Sequence, residues 1–232
     1  MKTLITLLFL MAFSLFTEAQ IGFDVTAKGQ FNSTWLFNKN ISDKGTEQDY
    51  VPSWGSNFGL GLGMRLGFFG LGTEFNFGKH NAEYKGIRDG NNYSSKIALS
   101  TFQLPLLVRF QNKGGVYVEL GAQYNKVRKA IYTRENLLPT TDDVAGDFAK
   151  SYTTAVLGFG INRKILKSIP LGFIFGLRLQ YGISDLRGVD GYGIALNNSK
   201  VYSNYAKTRA ASAGINFGIM YTLDTKKKES GY

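Results

Sequence analysis

The sequence predicts an all-β fold, an eight-stranded antiparallel up-and-down transmembrane β-barrel. Three observations carry this reading. Apolar residues alternate with small or polar ones in eight separate segments. The links between those segments are long and short by turns. The face that is not apolar is built from Gly, Asn, Gln, Ser and Thr, with few charges. The composition agrees, with 28 Gly, 18 Phe and 13 Tyr against 4 Pro.

The first stretch, MKTLITLLFLMAFSLFTEAQ, has Lys2, an apolar run from Leu4 to Phe16 and a small-x-small site at Thr17-Glu18-Ala19. It reads as a secretory signal, too short to cross a bilayer as a helix. The expected organisation is therefore a signal peptide over 1–19, a barrel over 20–223 and a basic periplasmic tail over 224–232. An exported chain without cysteine has no disulfides and no lipid on an N-terminal cysteine. The net charge of +10 favours phosphate-bearing lipid or anionic polymer as partner, and export argues against nucleic acid.

The first segment sets Phe23, Val25, Ala27 and Phe31 against Asp24, Thr26, Lys28 and Gln30. The second sets Leu60, Leu62, Met64 and Leu66 against Gly59, Gly61, Gly63 and Arg65, and the third Leu71, Phe75 and Phe77 against Gly72, Glu74 and Asn76. In the fourth, Phe102, Leu104, Leu106 and Val108 alternate with Gln103, Pro105, Leu107 and Arg109. The fifth places Val116, Val118, Leu120 and Tyr124 opposite in phase to Tyr117, Glu119, Gln123 and Asn125. The sixth opposes Ala155, Leu157 and Phe159 to Thr154, Gly158 and Gly160. The seventh, LGFIFGLRLQYGI, is apolar at each odd position, with Ile174 the exception among the even ones. The eighth sets Ile215, Phe217 and Ile219 against Gly214, Asn216 and Gly218.

Long links at 38–53, 85–96, 130–150 and 188–204 fall on one side. Short ones at 69–70, 112–114 and 163–170 fall on the other, with both termini, which gives periplasmic ends and extracellular loops. Taking Phe69-Gly70 as a two-residue turn places Arg65 opposite Glu74. Taking Asn112-Lys113-Gly114 as a three-residue turn places Arg109 opposite Tyr117, with Gly114 in the left-handed position.

A soluble barrel would turn the apolar face inward and cover its outside with charge. Here the polar face is too poor in charge for a soluble surface, and small residues suit a narrow interior. Segments of about ten residues match a tilted membrane crossing. Aromatics collect at both ends of the apolar face: Phe68, Phe110 and Tyr221 near the short turns, and Trp35, Trp54, Phe77, Phe102, Tyr124 and Tyr181 toward the long links. The apolar face is expected to be outside.

Two stretches, FQLPLLVRF (Phe102–Phe110) and LRLQYGISDL (Leu177–Leu186), resemble the fourth and seventh strands of the PorT-like outer-membrane β-barrel family. The resemblance implies residence in the bacterial outer membrane. The last strand, NFGIMYTL, is similar to the signal read by the barrel assembly machinery, which would then be a partner during insertion. The tail DTKKKESGY departs from chains that end on that strand.

For chemistry, the lone histidine, His80, is expected to point inward in a structural role. No motif brings a serine and a carboxylate to it, so no catalytic residue is assigned and an outer-membrane lipid-modifying enzyme ranks third among the readings. One His and no Cys make a metal site improbable, and no cofactor is implied. Arg65, Glu74, Arg109, Glu119 and Arg178 are read as a lumen ion network that closes the bore. The alternative is an ion-selecting lining in a narrow porin-like pore for small solutes. Lys126, Arg128 and Lys129 read as a solvated strand extension or as a contact with lipopolysaccharide phosphates. The function expected is a non-enzymatic structural or interaction role, in contact with outer-membrane lipid and with a protein partner at the extracellular loops.

Overall fold

The computed structural model describes residues 21–42, 48–88, 90–135, 140–165, 169–189 and 205–224. The stretch expected to be a signal peptide, most of the basic tail and most of the link at 188–204 lie outside the described residues. Ten strands form one antiparallel sheet: β1 (Ile21–Asn38), β2 (Asp49–Val51), β3 (Ser53–Leu66), β4 (Phe69–Arg88), β5 (Asn91–Gln111), β6 (Val116–Glu135), β7 (Thr140–Asp143), β8 (Ser151–Lys164), β9 (Leu171–Gly182) and β10 (Thr208–Asp224). A single helical turn, α1 (Lys39–Ser42), follows β1.

Eight of the strands close into a ring in the order β1-β3-β4-β5-β6-β8-β9-β10, sealed where β1 pairs with β10 from Gly22↔Asp224 to Asn38↔Thr208. Closure leaves every stave paired on both sides, which satisfies the backbone without water. The burial pattern fixes the two faces. Along β9, Phe173, Phe175, Leu177, Leu179 and Tyr181 are exposed, while Ile174, Gly176, Arg178 and Gln180 are buried. The same order holds on every stave, so the barrel is inside-out relative to a soluble one. Aromatic pairs ring both ends of the apolar wall, among them Phe58–Phe77 and Phe77–Phe102 at 5.9 and 5.7 Å and Phe69–Phe110 at 5.8 Å. Ile174, the exception in the alternation, faces the lumen and packs with Tyr117 and Met220.

Both short hairpins differ from the sequence expectation by an even number of residues. Leu66 pairs with Phe69, so the first turn is Gly67-Phe68, with Gly67 at φ 61°. A glycine with positive φ at the first central position is the two-residue hairpin turn that matches strand twist. Arg65 therefore stands opposite Gly70, and Glu74 opposite Gly61. In the second hairpin the left-handed residue is Gly115 (φ 83°), not Gly114. The Gly115 amide donates to the Asn112 carbonyl at 3.0 Å, and Arg109 comes opposite Glu119 rather than Tyr117.

The long-loop end is also more ordered than expected. The link at 85–96 is strand on both sides, with Arg88 paired to Asn91. Beyond the apolar band, β4, β5 and β6 run on together; β2 pairs with β4 at Asp49↔Lys85 and β7 with β6 at Ile131↔Asp143. Where β3 begins, the Ser53 hydroxyl donates toward the Thr34 and Asn81 carbonyls (2.5 and 2.9 Å), tying β1 to β4 across its end.

Candidate functional site

The bore is filled in three layers, each from inward-pointing residues of several staves. The layer nearest the short turns is ionic. Lys28 (β1) donates to Glu74 (β4) at 2.5 Å. Arg178 (β9) meets Glu74 through two nitrogens at 2.8 and 2.9 Å, and meets Glu119 (β6) at 2.6 and 3.0 Å. Arg109 (β5) completes the chain with 2.7 Å to Glu119. Its guanidinium also lies 4.4 Å from the centre of the Tyr117 ring. The alternating series Lys28–Glu74–Arg178–Glu119–Arg109 thus links five staves with three cations and two carboxylates. Arg178, Glu74 and Glu119 are almost fully buried, with side-chain exposures of 2, 4 and 0%. Charges in such a place persist only when each is paired with good geometry, as these are.

Glycines make the room. A Cβ on Gly158 would come within 2.7 Å of the Glu119 side chain, and one on Gly61 within 3.2 Å of Glu74. The Gly59-x-Gly61-x-Gly63 series of β3 faces the lumen, where its small residues leave space for the side chains of neighbouring staves.

Of the five residues expected in the network, Glu74, Arg109, Glu119 and Arg178 are brought together. Arg65 is not. It lies at the mouth, 3.6 Å from Asp24, because the early turn moves it four residues away from Glu74 in register. Lys28 takes the place next to Glu74. Its inward phase was visible in the sequence, but its partner sits two staves away and has no local signal.

Above the ions lies a layer of neutral polar groups, including Gln30, Asn57, Gln103, Gln123, Asn125, Gln180 and Asn216, all buried. Gln123 and Gln180 exchange hydrogen bonds over the intervening stave β8 at 3.3–3.4 Å. The third layer is apolar. Leu36, Tyr84, Ile97, Leu99, Tyr132 and Tyr152 from the staves meet Ile41, Val144, Phe148, Leu186 and Val189 from the long-loop end. This core lies outside the sequence expectation, since its residues fall in the long links or just beyond the ends of the eight alternating segments. Its signal was there in Ala82-x-Tyr84 and Ile97-x-Leu99, which continue the inward phase but turn apolar.

His80 points inward as expected, with Nε2 3.0 Å from the Trp35 carbonyl. Among the described residues no carboxylate is paired with it and no group of three His, Cys, Asp or Glu could hold a metal. Lys126, Arg128 and Lys129 are exposed on the outer wall.

No family model and no curated protein matches the chain, so the PorT-like resemblance rests on the two short motifs alone. Solved structures with a similar arrangement of strands include Neisserial surface protein A (11% identity, TM-score 0.41, 86% of this chain and 96% of that one). Ail, the attachment invasion locus protein of Yersinia pestis, was solved with the heparin analogue sucrose octasulfate (11%, 0.41, 86% and 99%). The outer membrane protease OmpT of Escherichia coli is similar over 90% of this chain and 98% of its own (10%, TM-score 0.36). The likeness extends to the barrel fold and no further.

Proposed function

We propose that the chain is a non-enzymatic outer-membrane β-barrel with a closed lumen, acting through its outer wall and long-loop end in a structural or interaction role. The observation that carries this is the filled bore: a buried ion chain, then an amide layer, then an apolar core, each spanning the interior. A pore needs a continuous polar path, and the apolar layer interrupts one. An enzyme reading needs a nucleophile or base in reach of a partner, and the His80 ring is held by a backbone carbonyl instead. The exposed apolar wall and its aromatic rims support residence in a bilayer. The signal peptide, the PorT-like resemblance and insertion by the barrel assembly machinery belong to the same reading, as does the periplasmic placing of both termini.

Two measurements test it. Reconstituted in planar bilayers, the barrel should give no steady conductance; steady single-channel steps would replace the closed reading with the pore. A tag inserted beside exposed Asp143 should be labelled on intact cells. Labelling only after the outer membrane is permeabilised would invert the orientation.

A further inference from the structure

The outer wall changes character sharply at the long-loop edge of the apolar band. Phe77, Phe102 and Lys126 lie in one cross-strand row on β4, β5 and β6. Beside them in the next outward row stand Lys79 and Lys129, both paired to Ser100, about 10 Å apart across two strand spacings. All three lysines and Arg128 are exposed. The Arg128 guanidinium reaches back over the Phe77 ring, 5.7 Å from its centre, so a cation rests on the aromatic rim itself.

A backbone irregularity builds this patch. Along β6 the inward residues are odd-numbered as far as Asn125, and unbroken alternation would turn Lys129 into the bore. The register instead slips between Ser100 and Thr101, which pair with Lys129 and Val127, and leaves Arg128 as the extra residue. This bulge sends Arg128 and Lys129 outward in succession and places Ala130 and Tyr132 in the apolar core. Among the described residues none of the four cations is in an ion pair. Nearby carboxylates are otherwise engaged: Glu83 pairs with Lys96 at 2.9 Å, and Asp143 accepts the Ala145 amide at 3.1 Å.

Four uncompensated cations at the edge of a lipid-facing band call for an amphiphile with phosphate at headgroup depth. Its chains would lie on the apolar wall, below phosphates gripped by a guanidinium and ammonium groups. We infer that Lys79, Lys126, Arg128 and Lys129 form a binding site for the phosphates of a lipopolysaccharide-type glycolipid in the surrounding leaflet. The inference rests on the reading above that the barrel spans the outer membrane.

The test uses the refolded barrel in phosphatidylcholine nanodiscs, alone or with bisphosphorylated lipid A, read by thermal unfolding and by native mass spectrometry of retained lipid. Lipid A should raise the unfolding temperature and remain bound. The variant Lys126→Gln/Arg128→Gln/Lys129→Gln should fold normally, yet bind lipid A about tenfold or more weakly. The variant Arg163→Gln/Lys164→Gln, at the opposite rim, should bind as the parent does. Undiminished binding by the triple variant would overturn the site. So would an equal shift from dephosphorylated lipid A, or from inorganic phosphate added to plain discs. Both rims are exposed in a disc, so the outcome does not depend on orientation. A chain that fails to enter lipid at all overturns the spanning reading, and the site with it.

Discussion

Arg178 and Glu74 stand on β9 and β4, four places apart in a ring of eight, and their side chains meet in the middle of the bore at 2.8 Å. The pair spans the barrel along a diameter, so it couples two walls that share no backbone hydrogen bond.

That coupling predicts a strongly non-additive mutant cycle. Glu74→Ala alone leaves buried Lys28 without its carboxylate and Arg178 with Glu119 only, and should cost about 3–5 kcal/mol. Glu74→Ala with Arg178→Ala should cost less than the sum of the singles, as read by equilibrium unfolding in lipid vesicles. Neither variant should conduct in planar bilayers, because the apolar layer above the ions remains. Additive costs would refute the pairing, and a conducting Arg178→Ala would show that the ions alone keep the bore shut.

A second prediction maps the edge of the lipid-facing wall along one strand. Phe75 and Ile87 both face outward on β4, 47% and 51% exposed. Phe75→Arg should destabilise the vesicle-embedded barrel by about 2–4 kcal/mol, whereas Ile87→Arg, beyond the band, should cost about 0–1 kcal/mol. Equal penalties would mean that the band does not end between them.

The inward glycines separate by what a side chain would strike. Gly158→Val drives a Cβ to 2.7 Å from Glu119 and should cost about 1–3 kcal/mol. Gly63→Ala meets nothing closer than 3.6 Å and should be close to neutral or slightly stabilising. Urea midpoints in vesicles give both values; a destabilised Gly63→Ala would contradict the geometry.

Acid should loosen the long-loop end before the wall. Burial raises the Asp185 pKa. Hydrogen bonds from the Tyr205 hydroxyl and the Arg187 and Thr208 amides outweigh that and hold the carboxyl below its ordinary range. A depressed carboxyl contributes stability that is present above its unfolded value and lost as pH falls through the folded one. Hydrogen exchange around Thr208 should therefore quicken below the usual carboxylate range, and Asp185→Asn should remove that pH dependence. Exchange unchanged down to acid pH would place the anchor elsewhere.

How much of this was legible varies with the physics. The in–out alternation follows from strand periodicity; it holds through the apolar band on all eight staves and breaks beyond it at the Arg128 bulge of β6. Both turns were placed wrongly, yet each error was an even number of residues, to which alternation is blind: Gly67 and Gly70 both offer a turn that keeps every face correct. Only the conformation of Gly67 decides between them, and with it the partner of Arg65. The Arg178–Glu74 contact had no sequence signal, since it exists only once the ring has closed. Tyr84 and Ile97 flank the link at 85–96 and Tyr132 lies within that at 130–150, so this core sits where the strands run on past the alternating segments.

The two short strands β2 and β7 give the projecting part of the sheet a further property. Beyond the band, β4 outruns β3 and β6 outruns β8, which would bare a row of amides and carbonyls on each flank. β2 lies along one flank at Asp49–Val51 and β7 along the other at Thr140–Asp143. Each is short and carries exposed carboxylates, Asp49 on β2 and Asp142 and Asp143 on β7. A crowded membrane surface offers many neighbours that could zip onto a naked strand. Hemmed in this way, the projecting sheet offers them little to continue, and copies of the chain can stand side by side without growing into one another.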